Sequence, residues 1–283
     1  MQVYQEKKQI KAVIEQLKTK QLTLGFVPTM GALHQGHLAL VEEALANNDK
    51  VVVSIFVNPT QFNNATDLEK YPRTLDDDLG LLKTVSEDRI LIYAPTVDDI
   101  YEGQTVSQKF DFDGLEHEME GQFRPGHFDG VGTVVKRLFE IVSPDNAYFG
   151  EKDFQQLAII KKMVEKHQIP VTIVGCDIHR EANGLAMSSR NARLSPEQKK
   201  AASFIYKVLT TAKKQFGTKS AYKVTEWVEK QFSKNDVLRL EYFVIADEET
   251  LRPIQRKSKT KKYRAFIAVF ADDIRLIDNI ALN

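Results

Sequence analysis

Two histidines, His34 and His37, stand three residues apart in the run Pro28-Thr29-Met30-Gly31-Ala32-Leu33-His34-Gln35-Gly36-His37. Residues at i and i+3 share a helix face, so both imidazoles can address one anion if a helix begins here. A helix start adds unpaired backbone N–H groups and a partial positive charge, which suits phosphate. The pair alone is a weak motif, and a metal site is the competing reading. Against zinc stand the absence of H-E-x-x-H and a cysteine count of 1. Contact with the phosphates of a nucleotide is the chemistry that the spacing favours.

Other side chains of suitable type recur along the chain. Lys152 follows Gly150 and Glu151 and precedes Asp153. A solvated turn explains it alone as well as a phosphate contact does, although lysine is an apt point charge for phosphate oxygens. Met187-Ser188-Ser189-Arg190-Asn191 offers two hydroxyls and a guanidinium, which can hold a polyphosphate or simply cap a helix. Gln61 and Gln156 are neutral amides able to fix the hydroxyls and carboxylate of a small substrate. Asp76-Asp77-Asp78 can bind Mg²⁺ or answer the positive end of a helix. Arg124-Pro125-Gly126-His127-Phe128 reads as a punctuated loop with possible anion contacts.

These groups need elements to carry them. Apolar runs predict strands over 22–28, 50–57, 90–94, 146–149 and 171–176. Helical periodicity predicts helices over 5–18, 37–47, 74–86, 130–142 and 154–168. Such alternation implies a Rossmann-like α/β domain over residues 1–176, a parallel sheet with helices on both faces. Ligands of that architecture bind at the carboxyl ends of strands, where the His34/His37, Gln61 and Lys152 segments fall. After Cys176 the pattern changes to two helices, 196–216 and 220–232, then strands at 238–246, 263–271 and 274–280. A smaller C-terminal α+β domain over residues 177–283 is expected.

Composition narrows the function. With 39 basic and 39 acidic residues in 283, the chain has no net charge to recruit nucleic acid or an anionic membrane. Residues 1–11 lack a signal peptide's apolar core, and the run at 51–57 is too short to span a bilayer. A lone cysteine, read as a buried and inert thiol, fits a reducing cytoplasm. No P-loop, dinucleotide fingerprint or nucleophile elbow is present. ATP handled by histidines without a P-loop points to attack at the α-phosphate with release of pyrophosphate.

Taken with Ser54-Ile55-Phe56-Val57-Asn58-Pro59, Gln61-Phe62, Tyr71-Pro72-Arg73-Thr74 and the segments above, the order and spacing resemble the pantoate–β-alanine ligases. That family is related to nucleotidyltransferases and class I aminoacyl-tRNA synthetases. The matching blocks spread over about two thirds of the chain. The resemblance implies ATP-dependent condensation of (R)-pantoate with β-alanine through pantoyl adenylate, releasing AMP and pyrophosphate. It implies ATP contacts from Met30, Gly31, Ala32, Leu33, His34, Gln35, Gly36 and His37, with His37 a proton donor. Further ATP contacts would come from Gly150, Glu151, Lys152 and Asp153, and from Met187, Ser188, Ser189 and Arg190 in a mobile phosphate loop. His34, His37 and Lys152 would be catalytic. Gln61, Gln156 and Met30 would bind pantoate, Gln61 would border β-alanine, and Asp77 and Asp78 would approach Mg²⁺. A cytoplasmic homodimer is the expected assembly, with small-molecule substrates and neither nucleic-acid nor membrane partners.

Overall fold

A computed structural model describes residues 1–254 and 256–283. The chain divides into two units. The first begins with β1 (Gln2–Tyr4), α1 (Lys7–Thr19), β2 (Leu24–Thr29), α2 (Gln35–Asn47) and β3 (Lys50–Ile55). It continues through α3 (Ala65–Glu69), α4 (Leu75–Val85), β4 (Ile90–Tyr93) and α5 (Val97–Tyr101). After α6 (Glu120–Phe123) come α7 (His127–Val142), β5 (Asn146–Gly150), α8 (Phe154–His167) and β6 (Thr172–Cys176). The six strands form one parallel sheet in the order β1-β4-β3-β2-β5-β6. All five expected strands are present. Only β1 was not expected, being three residues long and pairing at the sheet's edge.

Strand order reverses between β2 and β5, the kind of switch point where such sheets bind ligands. Pro28 helps to open it. Thr29 O accepts from Phe56 N on the β3 side, so Pro28, one residue earlier, turns its nitrogen toward β5. That nitrogen has no hydrogen to donate. Accordingly β2 pairs with β3 from Leu24 to Thr29 but with β5 only at Gly25 and Phe26. The two strands part toward their carboxyl ends.

Helices cover both faces, as the alternation of strand residues requires. Val27, Val51, Val53, Ile90 and Ile92 pack with Leu38, Val41 and Leu45 of α2. On the opposite face Phe26 meets Phe139 of α7 edge-on at 6.1 Å. Each buried Val or Leu side chain contributes about 1.5–3 kcal/mol, which fixes register because a one-residue slip would carry the whole set to the opposite face and away from the α2 side chains that it fits.

The second unit comprises Ile178–Asn283 together with His117–Glu120 and Lys152–Gln155. Lys152 and the three residues after it therefore group with C-terminal residues rather than with β5, which precedes them. Helices α9 (Pro196–Phe216) and α10 (Ala221–Phe232) pack on an antiparallel sheet of β7 (Leu238–Asp247), β8 (Tyr263–Ala271) and β9 (Ile274–Ala281). A reciprocal cap between Ser195 and Gln198, with Pro196 in the first turn, starts α9. Arg275 bonds both Glu120 and Glu241, and burial together with Glu120 pushes the Tyr242 hydroxyl well above its usual range.

Cys176, at the end of β6, is half-buried. Burial, aided by Glu43, Asp177 and Glu151, pushes its thiol up to about 11. At pH 8 alkylation should be roughly two hundredfold slower than for a free cysteine, whose thiol ionises near 8.5, and should accelerate about tenfold per pH unit. Mass-spectrometric alkylation rates would check this, and a rate matching the free amino acid would refute the shielding.

Candidate active site

The turn from β2 into α2 passes through two left-handed residues, Gly31 at φ 82° and Ala32 at φ 49°. Alanine in that region is strained by roughly 1–2 kcal/mol, so something must hold it there. The restraint is Asp78 in the first turn of α4. Its Oδ2 accepts from Ala32 N at 3.0 Å and its Oδ1 from Leu33 N at 2.7 Å. Thr74 Oγ1 donates to Oδ1 at 3.2 Å, and Asp78 is 1% exposed. Burial raises its carboxyl above the ordinary value, against the pull of those hydrogen bonds.

Asp78 thus differs from the expectation that placed it with Asp77 near Mg²⁺. Asp76 and Asp77 are exposed, whereas Asp78 faces inward onto backbone amides. Among the described residues no group of three or more His, Cys, Asp or Glu side chains could hold a metal. Asp78, engaged by those amides, does not fit a cation ligand.

The helix start departs from the simple picture as well. His34 caps α2, and its Nδ1 accepts from Gly36 N at 3.2 Å. His37 returns the favour, its Nδ1 accepting from His34 N at 3.3 Å. His37 N and Leu38 N both donate to His34 O. The backbone donors of this turn are largely occupied within the protein. Each ring, accepting at Nδ1, carries its proton on Nε2 when neutral. The imidazoles thereby convert occupied backbone donors into side-chain donors. Their ring centroids lie 4.0 Å apart.

Gln61 lies on the 3₁₀ turn Pro59–Gln61 after β3. Its conformation is imposed by Asn58, which is 1% exposed. Asn58 Nδ2 donates to Gly130 O and to Gln61 Oε1, each at 3.2 Å, while its Oδ1 accepts from Tyr101 OH at 2.6 Å. Gln61 Nε2 is left facing Met30 Sδ at 3.2 Å. His127 Nδ1 lies 2.7 Å from Gln61 O, and Arg124 Nη2 donates to the same carbonyl at 3.3 Å. Two members of the expected anion-binding loop therefore brace Gln61, and its tail begins a helix after Gly126 at φ 78°. Gly130 permits the contact: a Cβ there would lie 2.4 Å from Thr60 O.

Gln156 is half-buried on α8. In the second unit, Lys152 is half-buried with Nζ 3.6 Å from Asp153 Oδ1. Residues 179–187 form a short hairpin, closed by Met187 N to His179 O at 3.0 Å and by the Arg180–Ala186 bridge. Ser188 then caps the 3₁₀ turn Ser189–Arg193. Asn58 and Gly130 are supports that sequence reasoning missed, and Asp78 and His127 are supports that it read as ligands of an ion. The strand–Asn–Pro signature of a capped turn was the one signal that could have found Asn58.

A parallel sheet opened at its switch point, with paired imidazole donors on the first loop, defines an α/β enzyme of nucleotide-binding type. The sequence profile described as "Pantoate-beta-alanine ligase" matches residues 2–281. The pantothenate synthetase of Flavobacterium psychrophilum is 61% identical over 282 residues, covering 100% of both chains. That of Bacteroides fragilis is 46% identical over 280 residues, 99% of this chain and 98% of its own. The crystal structure of pantothenate synthetase from Thermus thermophilus superposes with a TM-score of 0.90 at 40% identity, covering 100% and 99%. A Francisella tularensis pantoate–β-alanine ligase, complexed with "Beta-gamma ATP" and β-alanine, gives 0.81 at 34%, covering 100% and 98%. The chain belongs to the pantoate–β-alanine ligase family and is a ligase.

Asp78→Ala should unclamp the loop at a cost of about 1–3 kcal/mol for each amide left unpaired. Hydrogen exchange at the Ala32 and Leu33 amides reads this directly. Unchanged protection there would show that the carboxylate is dispensable.

Proposed function

We propose that this chain condenses (R)-pantoate with β-alanine in two steps driven by ATP. A pantoate carboxylate oxygen attacks the α-phosphorus, forming an O–P bond as the bond to pyrophosphate breaks. The β-alanine amine then attacks the acyl carbon; a C–N bond forms, AMP leaves with the former carboxylate oxygen, and the amine loses a proton. Family membership along residues 2–281 is the observation that carries this reading. Omitting ATP, pantoate or β-alanine in turn while following AMP tests it, and AMP release dependent on another acid would redirect it.

The barrier to the first step is largely the approach of two anions, so oriented donors and positive charge are what the protein must supply. His34 and His37 donate from Nε2 to ATP phosphates, a role supported by the occupation of both Nδ1 atoms. His37 acts as a hydrogen-bond donor in this reading. The segment Met30–His37 lines the nucleotide, as do Gly150, Glu151, Lys152 and Asp153. Lys152, with Met187, Ser188, Ser189 and Arg190, offsets charge on the polyphosphate. Mg²⁺ enters as the counter-ion of the triphosphate substrate. Gln61 and Gln156 hold pantoate, and Gln61 borders β-alanine. Neutral amides suit an attacking carboxylate, because a lysine would hold it too firmly. The mixed anhydride is prone to hydrolysis, so excluding water protects it.

The rest of the reading is a homodimer working in the cytoplasm, supported by family resemblance. No described helix is long and apolar enough to cross a membrane.

His37→Ala and Lys152→Ala should each slow pantoyl-adenylate formation by about 10²–10³, the loss expected for a preorganised donor to developing charge. Lys152→Arg should restore only part, since a planar fork is no substitute for a compact ammonium. Single-turnover kinetics would check both. An alanine variant within tenfold of the parent would remove that residue from the mechanism.

Gln61→Ala and Gln156→Ala should weaken pantoate use by roughly 1–3 kcal/mol for each lost partner while ATP binding stays near that of the parent. Calorimetric titration of ATP beside initial rates in pantoate separates the two effects. Unchanged pantoate dependence in both variants would place the acid elsewhere.

A further inference from the structure

Asp278 and Asn279 are neighbours on β9, 5% and 1% exposed, and neither belongs to a recognisable motif. Consecutive strand residues point to opposite faces of a sheet. Each of these two holds one of the C-terminal unit's candidate phosphate segments.

Asp278 shares its face with Ile274 and Leu276, residues of the unit's hydrophobic core, and α9 packs against β9. Its carboxylate takes a two-pronged contact from Arg180, Nη1 to Oδ2 at 2.7 Å and Nη2 to Oδ1 at 2.9 Å. The same guanidinium lies 3.8 Å over the ring of Tyr206 in α9 and donates to Gly184 O at 3.1 Å. Arg180 thus grips both arms of the hairpin. Gly184, at φ 90°, is seated so closely on Tyr206 that a Cβ would lie 2.6 Å from its ring. From that hairpin the chain runs directly into Met187, Ser188, Ser189 and Arg190.

Asn279 serves the other face. Its Oδ1 accepts from Arg264 Nη1 at 2.7 Å, and its Nδ2 donates to Lys152 O at 2.9 Å. Arginine has no acceptor, so the oxygen must face Arg264 and the amide N–H must face Lys152. Arg264 also stacks 4.0 Å from the ring of Phe154, two residues beyond Lys152, and bonds Glu248. The Lys152 main chain is therefore held at its carbonyl and again just beyond it. The positive charges of Arg180 and Lys152 both act on buried Asp278, countering the upward push of burial on its carboxyl.

We propose that Asp278 and Asn279 are a pair of positioning residues for the ligase reaction, Asn279 setting Lys152 through its carbonyl and Asp278 setting the Met187–Arg190 segment through Arg180. The inference rests on the reading of Lys152 and that segment as phosphate contacts.

Asn279→Asp tests the first half, because it keeps the volume and the Arg264 contact but turns an oxygen toward Lys152 O. It should melt cooperatively, at a somewhat lower temperature than the parent, and keep the parent's KM for β-alanine, while kcat for pyrophosphate release falls about ten- to a hundredfold, as a small misplacement of a reacting group would cause. In a Lys152→Ala background the same substitution should change the rate by less than about twofold, since the shared interaction is already gone. Asn279→Ala, which introduces no charge, repeats the cycle if the aspartate variant folds poorly. Asp278→Asn and Arg180→Lys should each raise the KM for ATP about tenfold, and the double variant no further. Equal losses with and without Lys152, or an unchanged KM for ATP in both Asp278→Asn and Arg180→Lys, would overturn the proposal alone. A fully active Lys152→Ala enzyme would overturn the reading of Lys152 and this inference with it.

Discussion

The clamp of Asp78 on the amides of Ala32 and Leu33 is the interaction on which the N-terminal unit's candidate site depends. A strand that ends on a sheet's rim must turn sharply to begin the next helix, and here it does so through consecutive left-handed residues. Glycine adopts that backbone freely, but alanine does not. A carboxylate accepting two adjacent amides gives the strained turn its compensating hydrogen bonds, and burial keeps water from competing for them. The usual logic of a phosphate loop is inverted. The amides expected to seat an external anion are bound by an internal one.

That inversion shifts the proposed anion contacts onto the two imidazoles. With Ala32, Leu33, His34 and Gly36 donating inward, what the turn can present to a ligand is side-chain N–H. An imidazole accepts a backbone hydrogen bond on one edge while donating on the other. Lysine or arginine at either position would offer charge but no acceptor, leaving a helix-start amide unpaired. Serine or asparagine would cap the helix yet reach less far. The three-residue spacing is the spacing of a capping box, so the motif's helix-starting role and its proposed anion-facing role are one arrangement.

Strong periodicity made the fold legible: α9 and β8 coincide with the expected bounds, and the sheet's other strands agree to within a residue or two. Chemistry on named strand ends was legible for the same reason. The supports were not. Asp78 sits in a run of three acids, and only its helical phase, unreadable from composition, separates it from exposed Asp76 and Asp77. His127 and Arg124 looked like anion ligands because their types suit anions, yet they point at the carbonyl of Gln61. Their task follows from the close approach of α7 at Gly130, a tertiary fact with no local signature. The grouping of Lys152 with the C-terminal unit likewise depends on Asn279, 127 residues away in sequence.

Hydrogen-bond direction carries further than residue type in the remaining wall of the site. Gly130 O can only accept, so Asn58 must turn its amide N–H₂ that way and its oxygen toward Tyr101 OH. The second hydrogen of that N–H₂ then requires the oxygen of Gln61, which leaves Gln61 Nε2 toward Met30. A glutamine free to flip would present a donor or an acceptor with similar ease, and half of its orientations would repel a carboxylate. The chain from a helix carbonyl through a buried asparagine selects the donor. Since an ionised carboxylate only accepts, the packing of α7 against the turn after β3 gives Gln61 the polarity that its proposed role toward pantoate calls for.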